Sequence, residues 1–292
     1  MSGTNWVENR YQLVVNPEQR VFDEILEQVV LTEGWSFQKN DYQIWNQYEG
    51  HWFLAIVDGE KCAACVSLCK SRLLNGEPLF TVALFYCRPE YRGMGFGHVL
   101  FNSIKSIYGN ANVSLFGVMG MVEWYEKRHG FERMLPYTHS VGVVRTENIE
   151  VIRSCSNDSV ESRRKMMKAW LTAPGTFCKL ARCQTTGRVL GFGALREALH
   201  EKLIISPLYA ESYEAAVSII VALLLMVPRI HTYKTISAVY PTGNRAMDRI
   251  LSTISNGKFE KIEYARNQFT NRIVASDTRK VFAIRHCAHG YV

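Results

Sequence analysis

The chain has 292 residues, of which 47% are hydrophobic and 21% charged, the proportions of an ordinary globular protein with material for one large core or two smaller ones. The formal net charge of +7 is unevenly divided, because residues 1–148 hold 13 Lys+Arg against 16 Asp+Glu (net −3) and residues 149–292 hold 21 against 11 (net +10). The longest apolar run, 215–227, is shorter than the roughly 20 residues that cross a bilayer. The first residues are polar and lack the apolar centre of a secretory signal. We therefore expect a cytoplasmic protein with no membrane partner.

The first half begins with a predicted helix followed by antiparallel strands. Asn16 is a favourable helix cap and Pro17 suits the first helical position, so the helix is predicted to start there. Asp58-Gly59 separates two apolar runs and predicts a β-hairpin. The next apolar run, 79–87, is nearly continuous, as expected for a strand buried on both faces. The helix has an apolar stripe at helical spacing, made of Phe22, Ile25, Leu26, Val29 and Val30.

A glycine-rich segment, RGMGFG at 92–97, joins this strand to a predicted amphipathic helix. A short strand around 111–118, a helix around 121–131 and a strand around 139–146 follow in that order. This succession predicts an α+β fold, in which a mixed, mostly antiparallel sheet is flanked by helices. The glycine-rich segment is the one junction of a size suited to a ligand.

Cysteine usage argues against a disulfide framework and against a zinc site. Eight cysteines in a chain of this length, with no leader for an oxidising compartment, do not form the pattern of a disulfide-rich domain. Cys62, Cys65 and Cys69 lie close in sequence, but no second cysteine or histidine pair stands at zinc-binding spacing. In a strand, Cys62 and Cys65 would also point to opposite faces. We therefore predict buried core thiols and expect no metal.

Three glycines at alternate positions, Gly93, Gly95 and Gly97, stand where a strand ends and a helix begins. Amides without neighbouring side chains can turn together toward one anion, and the helix dipole adds positive potential there. Arg92 adds a planar fork of donors that suits phosphate oxygens. Pro89 cannot donate a hydrogen bond to the sheet, so the strand is predicted to part from its neighbour near there. The pattern therefore predicts a pyrophosphate cradle beside a slot for an extended ligand arm.

Two other phosphate-binding motifs do not fit this segment. A P-loop needs lysine and then serine or threonine after its last glycine, where this chain has His98 and Val99. A dinucleotide fingerprint needs a glycine where His98 stands. What remains is R-x-x-G-x-G at 92–97, with WYEKRHGF at 124–131. This pair of motifs resembles the GNAT family of acetyl-CoA-dependent N-acyltransferases, whose loop of this form binds the CoA pyrophosphate, and the resemblance covers roughly residues 12–144.

The resemblance implies which residues bind the co-substrate acetyl-CoA. Backbone groups of Phe85, Tyr86 and Cys87 would face the pantetheine arm and the thioester carbonyl. Many relatives carry asparagine where this chain has Val118, and many carry a glutamate on the strand before the loop, where this chain has none. These departures leave the catalytic base undefined. The pyrophosphate would be held by backbone amides of the loop, which consists of Arg92, Gly93, Met94, Gly95, Phe96, Gly97 and His98.

The resemblance also implies candidate catalytic residues. Tyr125 matches the tyrosine that often lies near the CoA sulfur as general acid, and its alternative role is a core aromatic residue beside Trp124. An amine with a pKa of about 10.4 is almost wholly protonated at neutral pH, so a base must remove its proton before attack. Glu33, Asp41 and Glu123 are the candidate bases, and each could instead be a solvated surface carboxylate. The aromatic residues after the first helix would line an acceptor pocket or belong to the core, and they are Trp35, Phe37, Trp45, Tyr48 and Trp52.

The second half repeats this order of elements without the glycine loop. A hairpin is predicted around Thr186-Gly187, followed by a strand, a long helix, a strand and a helix. PLYAES at 207–212 replaces RGMGFG, so no pyrophosphate cradle is expected there. The second half thus resembles the degenerate module of YitH-type tandem GNAT proteins. We predict an acetyl-CoA-binding module at 1–148 and a GNAT-like module at 149–292, whose first helix spans 159–170.

Together these features imply an acetyl-CoA-dependent N-acetyltransferase acting on a primary amine. A small-molecule amine is favoured because the second module is expected to cap the acceptor site and exclude protein chains. Two alternatives stay open, a protein lysine or N-terminal acetyltransferase and a non-catalytic CoA-binding regulatory protein. Basic residues are scattered apart from RRKMMK at 163–168 and lack interleaved aromatics, so no nucleic-acid partner is expected. The oligomeric state is not defined by the sequence.

Overall fold

A computed structural model describes residues 10–73, 75–149 and 170–285 of the chain. The chain divides into two compact units, Met1–Leu115 and Phe116–Val292. In each unit, mostly antiparallel strands are flanked by helices, so the predicted α+β class is correct. The helix predicted at 159–170 lies outside the described residues, except for its last position.

Within residues 10–73 and 75–118, the first unit contains five strands and three α-helices. They are β1 (Tyr11–Val15), α1 (Gln19–Glu33), α2 (Asp41–Asn46), β2 (His51–Asp58), β3 (Lys61–Arg72), β4 (Pro78–Cys87), α3 (Phe96–Tyr108) and β5 (Asn112–Val118). The last three residues of β5 belong to the second unit. The strands lie in the order β1-β2-β3-β4-β5, and all neighbours are antiparallel except β4 and β5, which run parallel. Gly59 has a φ of 61° in the turn between β2 and β3, as the predicted hairpin requires.

Helix α1 begins at Gln19, later than the predicted start at Pro17. Asn16 does not cap the helix, because its side-chain oxygen accepts a hydrogen bond from the Phe53 amide at 2.8 Å. The Asn16 amide also donates to the Phe53 carbonyl at 2.6 Å, so this residue joins the chain before α1 to β2. The predicted apolar stripe is correct, since all of its members are buried, namely Phe22, Ile25, Leu26, Val29 and Val30.

An aromatic cluster forms the core beneath α1. The Phe22 ring stacks on Tyr42 at 4.6 Å between centroids and meets Trp45 and Phe53 edge-on, each at 5.3 Å. Phe37 packs against Trp45 at 6.0 Å. Two of the five aromatic residues considered for an acceptor pocket, Phe37 and Trp45, are therefore core residues. The other three are half-buried, namely Trp35, Tyr48 and Trp52.

The second unit contains the remaining elements, which are α4 (Val122–His129), β6 (Arg133–Arg145), β7 (Thr176–Arg182), β8 (Val189–Ala198), β9 (Lys202–Ala210), α5 (Tyr213–Met226), β10 (Thr235–Pro241), α6 (Arg245–Ile254), β11 (Phe259–Phe269) and β12 (Val281–Ala283). Its strands lie in the order β11-β6-β10-β9-β8-β7, and β12 pairs with β9. The apolar run at 215–227 falls in α5, which packs with α6 over a buried core, as expected for a core helix.

Strand β6 explains why the compact units divide at a different place from the predicted modules at 1–148 and 149–292. This strand precedes residue 148, yet its neighbours on both sides, β10 and β11, come from the second half of the chain. Pairing along almost its whole length groups β6 with those strands. The boundary at 148/149 describes the sequence modules and stays a prediction.

The cysteines of β3 are core residues, as predicted. Cys62, Cys65 and Cys69 are buried, and burial raises the pKa of the Cys65 thiol. Within residues 10–73, 75–149 and 170–285, no group of three or more histidine, cysteine or acidic side chains could hold a metal ion. No helix in those ranges is long and apolar enough to cross a membrane.

Candidate active site

The end of β4 departs from regular pairing just before the glycine loop. Its parallel ladder with β5 covers Leu79–Val82 and stops there, although β4 continues to Cys87 along β3. The register with β3 shifts between Ala83 and Tyr86, and Leu84 has a φ of 38°, so β4 contains a bulge at this point. Positive φ in a branched residue is strained, and such strain concentrates at functional sites. The predicted parting of the strand is present, and it begins before Pro89.

The glycine loop turns the chain from β4 into α3. Gly93 and Gly95 have φ values of 81° and 83°, which side-chain-bearing residues rarely adopt. Gly97 lies in the first turn of α3. The N-terminus of α3 has no side-chain cap, and the first-turn amides of His98 and Val99 point back to the Gly95 carbonyl. The loop therefore leads directly into a helix N-terminus, the arrangement that favours an anion.

Arg92 lies beside the loop with its guanidinium partly in solvent. Its Nε donates to the Cys87 carbonyl at 3.0 Å, which ties the loop to the end of β4. Its Nη2 lies 3.7 Å from Glu33 Oε1, at the last residue of α1. Nearby, the hydroxyls of Thr32 and Tyr86 are 3.1 Å apart, so the end of α1 is packed on the end of β4. This brings the candidate base Glu33 together with the candidate phosphate ligand Arg92.

The other two candidate bases have different surroundings. Asp41 is buried, and its Oδ2 accepts a hydrogen bond from the Gln38 amide at 2.9 Å, just before α2. A carboxylate in the first turn favours the positive end of the helix dipole, and its burial means that Asp41 is not the surface group considered from the sequence. Glu123 is exposed on α4, and Lys127 one helical turn later forms an ion pair with it and lowers its pKa.

Tyr125 lies on α4 in the second unit and is 6% exposed. Its ring packs against Trp124 at 5.2 Å and Phe131 at 6.4 Å between centroids. Burial raises the Tyr125 pKa, which makes its hydroxyl a weaker acid than that of an exposed tyrosine. Gln268 braces this helix by donating to the carbonyls of Val122 (3.1 Å) and Phe131 (3.0 Å). The burial and ring packing fit the core role of Tyr125, whereas the proton-donor role also requires its hydroxyl to reach the CoA sulfur.

In the second unit, the parallel strands β9 and β10 also part, but another segment of the chain lies between them. The parallel ladder of β9 with β10 covers Lys202–Ile205 and Thr235–Ala238. Beyond it, β12 pairs with β9 at Leu208 and its neighbour, and the Ile284 amide donates to the Val239 carbonyl of β10 at 2.8 Å. The chain's own segment 281–284 therefore bridges the two strands where they part.

The helix that follows β9 also differs from α3. Ser212 precedes α5, and its Oγ accepts a hydrogen bond from the Ala215 amide at 3.2 Å. The acceptor for this first-turn amide is a side chain, whereas the corresponding amide of α3, that of His98, donates to the Gly95 carbonyl. The PLYAES segment contains none of the positive-φ glycines of the first module, and the expectation that it lacks a cradle stays a prediction.

Arg88 anchors the end of β4, although no sequence motif marks it. Its buried guanidinium donates to the Cys62 carbonyl at 2.8 Å and to Gln28 Oε1 at 3.0 Å, and it forms an ion pair with Glu24. The only sequence signal for it is an arginine just before the proline that ends the strand. That signal does not distinguish a surface arginine from a buried one.

An α+β sheet whose parting strand leads through a glycine turn into a helix N-terminus is the arrangement expected of an acyl-CoA-dependent acyltransferase. The model of the Acetyltransferase (GNAT) family matches residues 19–131, and that of the Acetyltransferase (GNAT) domain matches residues 158–251. Together these matches cover more than half of the chain. The chain belongs to the GNAT family, as a tandem protein with two GNAT-like regions, and it is an N-acetyltransferase of the type that uses acetyl-CoA.

Solved structures with the same fold cover nearly the whole chain. A proposed acetyltransferase from Pyrococcus horikoshii has a TM-score of 0.70 at 12% identity, and the match covers 99% of each chain. A tandem GNAT protein from the clavulanic acid biosynthesis pathway has a TM-score of 0.63 at 10% identity, covering 89% of this chain and 98% of that one. At such low identity these similarities establish the fold alone. A search of curated proteins found no match.

Proposed function

We propose that the first module binds acetyl-CoA and transfers its acetyl group to the primary amine of a small molecule. The observation that carries this proposal is the glycine turn of Gly93 and Gly95 into the N-terminus of α3, beside the bulged end of β4. Of the loop amides 92–98, those of Arg92 and His98 donate to the Pro89 and Gly95 carbonyls, so the amides between them would hold the pyrophosphate, and the Arg92 side chain would add charge-assisted hydrogen bonds. Backbone groups of residues 85–87 would pair with the amides of the pantetheine arm.

The chemistry requires a base for the ammonium group and a donor for the leaving thiolate. Among the candidates, Glu33 is favoured as base because its carboxylate is accessible at the end of α1, which packs on the end of β4, whereas Asp41 is buried in a helix start. A neutral amine would then attack the thioester carbonyl, forming the amide C–N bond and expelling the CoA thiolate. Tyr125, which like any tyrosine is protonated at neutral pH, would give its proton to that thiolate.

A small-molecule acceptor is favoured over a protein by the expectation that the second module restricts access. One similar structure is that of a tandem GNAT protein from the clavulanic acid biosynthesis pathway, which is also in keeping with small-molecule chemistry. The cytoplasmic location and the absence of metal, nucleic-acid and membrane partners stay predictions.

Release of free CoA thiol from acetyl-CoA, measured with a panel of small amines, lysine peptides and free N-terminal peptides, tests the proposal. Turnover with small amines and not with peptides is the expected result. Turnover with peptides alone would favour the protein acetyltransferase. CoA binding without thiol release for any acceptor would favour the non-catalytic CoA-binding protein.

A further inference from the structure

Arg88 stands where β4 ends and the turn into the glycine loop begins, and it is 6% exposed. Its Nε and Nη1 bind the Cys62 carbonyl (2.8 Å) and Gln28 (3.0 Å), and its Nη2 is paired with Glu24. The other oxygen of Glu24 accepts the Cys62 amide at 3.0 Å. One guanidinium thus joins the start of β3, two turns of α1 and the end of β4.

The turn after Arg88 has two further attachments, both to the β2–β3 hairpin. The Tyr91 hydroxyl donates to Asp58 Oδ2 at 2.9 Å, and Lys61 Nζ donates to Glu90 Oε1 at 2.6 Å. The Lys61–Glu90 pair is about half exposed on both sides, and such surface pairs contribute little. The Arg88 amide donates to the Ala63 carbonyl at 3.0 Å, and its guanidinium adds three shielded donors of a rigid fork that reach α1 and β3.

We infer that Arg88 is a positioning residue, which fixes the end of β4 on α1 so that the loop amides are pre-organised for the CoA pyrophosphate. The inference rests on the proposed binding of acetyl-CoA to this loop. A loop that is already ordered binds its ligand with a smaller entropic cost. If the end of β4 can shift, several loop amides no longer point toward the same pyrophosphate group, even though no loop residue has been substituted.

The test compares Arg88→Met with the wild-type chain by calorimetric titration of CoA and by steady-state kinetics. Methionine keeps an apolar stem of similar length and removes all three donors. We expect the Kd for CoA and the KM for acetyl-CoA to rise about tenfold, while kcat at saturating acetyl-CoA stays within about twofold, because no group at the reacting atoms has changed. Gln28→Met removes a single acceptor of Arg88 and should raise the Kd for CoA about twofold to threefold. This milder variant tests the inference if Arg88→Met does not fold.

Phe22→Leu is the matched control, because it weakens the packing of the same helix without touching the β4 end. It should lower the thermal midpoint and leave the Kd for CoA unchanged. Unchanged CoA affinity in folded Arg88→Met and Gln28→Met would overturn the inference while leaving the proposed function in place. An equal loss of affinity in Phe22→Leu would also overturn it, since general destabilisation would then be the cause. Wild-type protein that does not bind CoA would overturn the proposed function as well.

Discussion

Replacing Gly95 by alanine tests the loop with the smallest possible change. Gly95 has a φ of 83°, and no atom of the loop's surroundings lies within 4 Å of an added Cβ. A steric clash therefore does not contribute, and the cost is that of the left-handed backbone, about 1–2 kcal/mol for a residue with a side chain. If the loop keeps its curl, the free energy of unfolding falls by that amount. If the curl relaxes, each lost charge-assisted hydrogen bond to pyrophosphate costs about 1.5–3 kcal/mol, or roughly tenfold to a hundredfold in affinity.

Calorimetric titration with CoA and thermal unfolding separate these contributions. Gly187→Ala is the matched control, because Gly187 has a φ of 68° in the β7–β8 turn and equally open surroundings. We expect both variants to lose similar stability and only Gly95→Ala to lose CoA affinity. Wild-type CoA affinity in a folded Gly95→Ala protein would refute the reasoning, because the amides that this glycine orients would then not hold the pyrophosphate.

Three further substitutions and one titration test the proposed function. Arg92→Ala should weaken CoA binding about tenfold by calorimetry, near the low end for a hydrogen bond to a charged group because Arg92 is largely exposed; unchanged affinity would remove Arg92 from the cradle. Glu33→Gln removes a carboxylate that competes with phosphate for Arg92, so the Kd for CoA should fall or stay level. Turnover of the amine should drop, and full turnover would exclude Glu33 as the base. Tyr125→Phe should reduce turnover about a hundredfold with little change in CoA affinity, the low end of general acid catalysis; a lower thermal midpoint with normal turnover would make it a core residue. Titration should find one CoA per chain, bound more weakly as salt rises, and two per chain would contradict the assignment of the second module.

The parts of the fold that the sequence predicts correctly depend on residues that are neighbours in the chain. The hairpin at Asp58-Gly59 and the glycine loop are examples, because the local backbone decides both. The start of α1 was placed wrongly since Asn16 bonds to Phe53, 37 residues away. The buried contact between Arg88 and Glu24 joins residues 64 apart and is invisible for the same reason.

The second module shows how far local sequence information reaches at the site itself. PLYAES contains no glycine, and this alone predicts from the sequence that no cradle forms there. The filled opening between β9 and β10 is not visible, because β12 has three residues and its partners on β9 lie more than 70 positions earlier. Asn244, which caps α6, also donates to the Val281 carbonyl at 2.8 Å and holds this short strand in place. A glycine loop introduced at 207–212 would therefore not restore CoA binding by itself, since the place of a pantetheine arm is already taken by backbone that pairs with β9 and β10.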